Sequence, residues 1–199
     1  MAKIIQFSPT PGPEKFGPQR ARRKKDETPK KQAQLNLFTG GKVLRLNQLS
    51  VFEEALLIDD QGDGKSARAT YLKAIQEGDS VADAYCNLGI LEWQDGNTTK
   101  AIDYFTQCLK HDPRHYESHY NLANLYAEVG NYALAKIHYQ IAIEIEPEFA
   151  NSYFNLGLTL AMNKEFQAAV DILKKYRHMT PGEDHAQTDD LIFKLAGML

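Results

Sequence analysis

The stretch ADAYCNLGILEWQDGNTTKAIDYFTQCLKHDPRH, residues 82–115, is followed by YESHYNLANLYAEVGNYALAKIHYQIAIEIEPEF over 116–149 and ANSYFNLGLTLAMNKEFQAAVDILKKYRHMTPGE over 150–183. Set under one another, the blocks align Tyr85, Leu88, Gly89, Gly96, Ala101, Phe105 and Pro113 with His119, Leu122, Ala123, Gly130, Ala135, Tyr139 and Pro147. The third block supplies Tyr153, Leu156, Gly157, Lys164, Ala169, Leu173 and Pro181. The period of 34 residues marks a tandem array of one supersecondary unit. Bulky and small residues recur at helical spacing, so each block reads as two amphipathic helices and a turn. A Gly or Ala on one helix leaves room for the large side chain of its neighbour. Gly96 and Gly130 close the first helix, where glycine costs least, and the proline stops the second.

These positions resemble the tetratricopeptide repeat, a 34-residue helix-turn-helix unit, over about residues 48–183. The resemblance implies an all-α fold of tandem helix-turn-helix repeats in a short right-handed solenoid. Its repeats are 48–81, 82–115, 116–149 and 150–183. The first is weaker, with Val51, Ala55, Gly62, Ala67, Tyr71, Ala74 and Asp79 in the matching places. Glu54 takes the family's apolar seventh position and Asp79 its closing proline. An end repeat has one face without a neighbour, so polar residues are tolerated there. Residues 184–199 carry Leu191, Ile192, Leu195 and Leu199 at helical spacing and read as a C-terminal capping helix.

Composition is that of a soluble globular chain, with 43% hydrophobic and 25% charged residues. No apolar run approaches membrane-spanning length and residues 1–7 are too short for a secretory signal, so no membrane contact and a cytoplasmic location are expected. Cys86 and Cys108 lack metal-ligand spacing, and Cys108 shares its register with Ala142 and Tyr176. Both read as buried packing in a reduced compartment.

Charge is uneven. Residues 1–47 carry +8 and residues 48–199 carry −11. The first segment holds Pro9, Pro11, Pro13 and Pro18, then seven basic side chains between Arg20 and Lys31, with almost nothing apolar to bury. It reads as a disordered basic tail attracted to the acidic body.

The sequence offers no constellation for catalysis, and no cofactor or metal is expected. Gly64-Lys65-Ser66 resembles the end of a phosphate-binding loop, but Asp59 stands at its first glycine position. Asp59, Gln61, Asp63 and Gly64 resemble the start of a calcium loop, yet Thr70 stands where a bidentate glutamate is needed. His111, His115 and His119 are spaced by four, but Asp112-Pro113 breaks a helix between the first two. His119 shares the register of Tyr85 and Tyr153, which makes it a core histidine.

What remains is a binding surface. The resemblance implies that the first helix of each repeat lines a concave groove. Carried over by register, that groove holds Phe52, Leu56, Cys86, Asn87, Ile90, Trp93, Tyr120, Asn121, Asn124, Phe154, Asn155, Leu158 and Met162. Asp59, Asp60, Asp83, Glu117 and Glu128 form an acidic rim. Asn87, Asn121 and Asn155 share one register, and a carboxamide both donates and accepts. Two roles are open to such a ladder: pairing with the main chain of an extended peptide, or bonding the neighbouring repeat. Phe52, Trp93, Tyr120, Phe154, Leu158 and Met162 would add apolar area. Relatives that hold the acidic C-terminus of chaperones use lysine and arginine at set groove positions; Phe52, Leu56, Glu117 and Asn121 stand there, with Asn87 the one match.

The expected function is therefore that of a scaffold or adaptor binding another protein's apolar segment with basic flanks. The chain's own basic tail is a second candidate ligand, within one molecule or between two. An alternative places function in the tail itself. Gln34, Leu35, Leu37 and Phe38, with Asn36, are similar to the short peptide by which bacterial replication and repair proteins dock on the sliding clamp. The adjacent basic run suits weak, sequence-blind contact with nucleic-acid phosphates.

Overall fold

The computed structural model describes residues 19–21, 49–182 and 184–199. Of the tail, only Gln19, Arg20 and Ala21 fall within them, and the Gln34–Phe38 motif lies outside. All regular structure among the described residues is helical: α1 (Val51–Asp60), α2 (Gly64–Glu77), α3 (Val81–Gln94), α4 (Thr98–His111), α5 (Tyr116–Glu128), α6 (Tyr132–Ile145), α7 (Ala150–Met162), α8 (Phe166–Met179) and α9 (Ala186–Ala196). They form two compact units. One is Arg20–Pro113, with α1 to α4; the other joins Arg114–Leu199, with α5 to α9, to Gln19. No helix of the described residues is long and apolar enough to cross a membrane.

In the first unit, α1 begins with a reciprocal cap. The Ser50 hydroxyl accepts from the Glu53 amide at 3.2 Å while the Glu53 carboxylate accepts from the Ser50 amide at 2.7 Å. Asp79, standing where the sister blocks have proline, accepts from the Phe52 amide at 2.8 Å. That amide is one of the unpaired donors of a helix N-terminus, and a carboxylate there also meets the positive end of the helix dipole. The loss of the proline signature is thus a gain of a cap. Asp63 caps α2 by accepting from the Ser66 amide at 3.1 Å, and Gly62 before it has φ +83°. The stretch Asp59–Ser66 thus holds the end of α1, the connection 61–63 and the start of α2.

Packing within each helix pair follows one rule. Ala55, Gly89, Ala123 and Gly157 stand opposite Tyr71, Phe105, Tyr139 and Leu173, and all of the latter four are buried. Burying one such side chain contributes about 1.5–3 kcal/mol. The small partner is obligatory: a Cβ on Gly89 would lie 2.6 Å from the Phe105 ring, and one on Gly157 2.6 Å from Leu173. Ala67, Ala101, Ala135 and Ala169 are all fully buried and form a second small-residue register. Cys86 and Cys108 are both buried free thiols.

In the second unit, α9 packs on α8. Leu195 is fully buried and Leu191 and Ile192 are half-buried. The helix closes at Gly197, so Leu199 lies beyond it and is 67% exposed. The helical spacing of the sequence therefore carries three of its four apolar positions onto this helix, not all four.

The turn after the first helix of each pair needs one left-handed residue. Gly62, Gly96 and Gly130 take φ of +83°, +77° and +79°, and Lys164 takes +62° in the fourth pair. A side chain in this region costs roughly 1–2 kcal/mol. Lys164→Gly is expected to raise the urea midpoint of the full-length protein, by about 0.5–1 kcal/mol in unfolding free energy after the glycine's own entropy is counted. Gly89→Ala gains roughly 1 kcal/mol of helix propensity and loses about 1–3 kcal/mol to overpacking, so it is expected to destabilise. In a double-mutant cycle with Phe105→Ala, which removes the obstructing ring, the losses from the two substitutions are expected to be less than additive in the same urea titration.

Candidate functional site

In the unit Arg20–Pro113, a ring of hydrogen bonds joins a main-chain segment to three helices. Ala21 donates its amide to the Asn87 carboxamide oxygen at 3.0 Å, and its carbonyl accepts from Asn87 Nδ2 at 3.2 Å. Nδ2 also donates to the Tyr71 hydroxyl at 3.2 Å. That hydroxyl donates to Asp59 Oδ2 at 3.1 Å, and Asp59 Oδ1 pairs with Arg20 Nη2 at 2.9 Å. Arg20 Nη1 reaches Asp60 at 3.0 Å, so one guanidinium forks between two carboxylates.

The electrostatics follow from burial. Asp59 is 4% exposed, and desolvation raises its pKa; the Arg20 charge and the Tyr71 hydrogen bond oppose that rise. Tyr71 is pushed up by burial and by the neighbouring Asp59, so it remains a neutral donor.

In the second unit, Asn121 repeats the same two bonds. Its oxygen accepts from the Gln19 amide at 2.8 Å, and its Nδ2 donates to the Gln19 carbonyl at 2.9 Å. Asn155 is used differently: its Nδ2 donates to the Tyr120 hydroxyl at 3.0 Å and to Asn124 Oδ1 at 2.9 Å. Tyr139 donates to the same Asn124 oxygen, and burial pushes the Tyr120 hydroxyl up to about 12. Asn155 Oδ1 and Asn124 Nδ2 are buried and meet no hydrogen-bond partner among the described residues. Asn87 bonds the chain's own main chain at Ala21 and the preceding helix pair at Tyr71, Asn121 bonds the main chain of Gln19, and Asn155 ties α7 to α5.

The other residues assigned by register divide by exposure. Phe52, Cys86, Ile90 and Tyr120 are fully or almost fully buried, with Phe52 against Tyr71 at a ring separation of 5.9 Å. Leu56, Trp93, Phe154 and Leu158 are half-buried, and Met162 is exposed. Of the acidic rim, Asp60 and Glu128 are exposed, Asp83 is half-buried, and Asp59 and Glu117 are buried.

The three histidines do separate jobs. His111 stacks on Tyr85 at 5.4 Å. His115 is the cap of α5, where Nδ1 accepts from the Ser118 amide at 3.2 Å. His119 is 7% exposed and meets His138, the two Nδ1 atoms 3.0 Å apart. The His138 partner and the Tyr71 link were not visible from register, because each depends on a contact across helices. The position of Arg20 was signalled only by the opposite charge of tail and body.

Models of the tetratricopeptide repeat family match residues 82–115 and 120–184. A UDP-N-acetylglucosamine--peptide N-acetylglucosaminyltransferase of Giardia intestinalis is 29% identical over 122 residues, covering 61% of this chain and 8% of that protein. The chain therefore spans under a tenth of that relative's length. Among solved structures, a MamA protein is similar with a TM-score of 0.63 and 22% identity, over 74% of this chain and 81% of that one. The first repeat domain of Spaghetti (RPAP3), bound to the HSP90 peptide SRMEEVD, is similar with a TM-score of 0.55 and 17% identity, over 59% and 91%.

The His119–His138 pair sets a pH response of the second unit. Burial first, and then the His119 charge, lower the His138 pKa from 6.5 to about 4. Between these values the unfolded chain binds the proton and the folded chain does not, so this group's contribution to stability is full above 6.5 and falls with pH toward 4. The ceiling on that slope is about 1.4 kcal/mol per pH unit. His138→Gln is expected to flatten the fall in urea midpoint between pH 7 and 4.5 relative to wild type; parallel curves would assign the response elsewhere.

Proposed function

The chain is a tetratricopeptide repeat protein, and we propose that it is a non-enzymatic adaptor that binds a partner's peptide along the first helices of its repeats. The observation that carries this reading is the double hydrogen bond from the Asn87 and Asn121 carboxamides to main-chain groups of Ala21 and Gln19. Every peptide unit offers one donor and one acceptor, so a carboxamide that engages both holds a chain without reading its side chains. Each bond contributes about 0.5–1.5 kcal/mol net. Selectivity then falls to the surroundings. Trp93, Phe154 and Leu158 are half-buried and Met162 is exposed, which gives apolar contact area.

Charge narrows the ligand further. The Spaghetti domain holds a peptide ending in acidic residues. In this chain Asp59 and Asp60 take an arginine, so the ligand favoured is apolar with basic flanks, not an acidic C-terminus.

A displayed library of random peptides, panned against the full-length protein, tests this. Selected peptides are expected to be apolar with basic flanks and to lose at least about tenfold in affinity for Asn87→Ala/Asn121→Ala, with the helical content of that variant retained. A carboxamide removed from a buried peptide unit costs about 1–3 kcal/mol, which is this range. Selected peptides indifferent to both substitutions would overturn the reading.

A further inference from the structure

Arg20 and Ala21 occupy a place built for them in the unit they share with α1 to α4. The Ala21 side chain is fully buried, and its amide lies 3.0 Å from the Asn87 carboxamide oxygen. Arg20 is held at both ends of its fork, 2.9 Å from Asp59 and 3.0 Å from Asp60. Without a cation, Asp59 at 3% side-chain exposure and its neighbour Asp60 would be left, among the described residues, with the Tyr71 hydroxyl on Asp59 as compensation. Burial of a lone charge beside a like charge is unfavourable, so the site calls for a positive group. A planar guanidinium reaches two carboxylates at once; an ammonium is a point charge and is more strongly hydrated. The Tyr71 bridge fixes the spacing between the acid that takes the arginine and the carboxamide that takes the next residue's main chain.

We propose that Asp59, Asp60 and Asn87 form a subsite for an arginine followed by alanine, and that the protein's own Arg20–Ala21 is its resident occupant. The proposal rests on the reading of Asn87 as a holder of peptide main chain. An occupant covalently attached through residues 22–48 stands at an effective concentration on the order of a millimolar. A peptide of the same chemistry offered from another molecule must displace it. For an intrinsic Kd of about 10 μM the apparent affinity falls by roughly a hundredfold.

Fluorescence anisotropy with a labelled peptide of residues 16–25 tests this on full-length proteins. Arg20→Glu/Ala21→Trp places a repelled charge and an oversized side chain in the resident segment, outside every helix, and empties the subsite without touching its walls. The peptide is expected to bind this variant in the micromolar range and wild type at least tenfold more weakly. A peptide with Arg20→Lys is expected to bind the variant about tenfold more weakly, and a scrambled peptide of the same composition not measurably. Asp59→Asn/Asp60→Asn added to the opened variant is expected to abolish binding. Equal binding by wild type and the opened variant overturns the resident occupant. Absence of binding to the opened variant, or equal binding of the scrambled peptide, overturns the subsite. Either failure leaves the Asn87 dependence of library-selected peptides as a separate result, so failure of the subsite is distinguishable from failure of the reading it rests on.

Discussion

Close approach of the two helices in each pair is the constraint from which the other features follow. At Gly89 and Gly157 there is no room for even a methyl group, because Phe105 and Leu173 fill the space where it would stand. Interiors are packed at crystal-like density, so a large side chain on one helix dictates a small one on the other. With the contact fixed at that register, the first helices are free to bury polar residues elsewhere on their surface, provided hydrogen-bond partners meet them. Asn87, Asn121 and Asn155 occupy that freedom two residues before the small register.

The large register also carries chemistry. Tyr71 and Tyr139 are buried aromatics whose hydroxyls must be paired, and each reaches a polar residue of a first helix: Asp59 and Asn87 for Tyr71, Asn124 for Tyr139. Phe105, at the same register, brings no hydroxyl. One substitution pattern thus decides packing and polar wiring together. It also explains why three asparagines at one register act differently. Asn87 has a hydroxyl on one side and main chain on the other, whereas Asn155 spends its donors on Tyr120 and Asn124.

The helix pairs, their small-for-large exchange and the glycines of the turns were legible in the sequence, because each is a local rule repeated with the period of 34 residues. What departs from the repeat was harder to read. Asp79 looks like a lost proline until its carboxylate is found on the Phe52 amide, 27 residues back in the chain. Leu199 fits the helical spacing of residues 191–195 but lies past the helix end. The acidic rim was legible as a set of residues, but not the division within it. Asp59 is buried and tied to Tyr71 while Glu128 is exposed, and register alone assigns both to one surface. Nor could composition choose Arg20 from the seven basic side chains between residues 20 and 31. That choice depends on which arginine precedes the residue whose main chain meets Asn87, a contact 66 residues away.

Asp59 is poor value as a source of stability, and that bears on its purpose. A buried ion pair recovers its desolvation cost only when geometry and hydrogen bonding are good, and an apolar pair of similar volume often does as well. The Arg20–Asp59 contact comes close to meeting the condition, with one oxygen on the guanidinium and the other on Tyr71. If stability alone were at issue, an apolar residue beside Tyr71 would serve with less risk. What a buried acid adds is discrimination: an occupant without a cation leaves a charge uncompensated in a desolvated site, a penalty that no apolar wall would impose. In the proposed subsite a carboxamide reads no side chain, so the filter lies elsewhere, and Asp59 is joined to the Asn87 carboxamide through a single hydroxyl. In the proposed subsite, indifferent capture of main chain and a strict demand for a cation are thereby joined in one connected network.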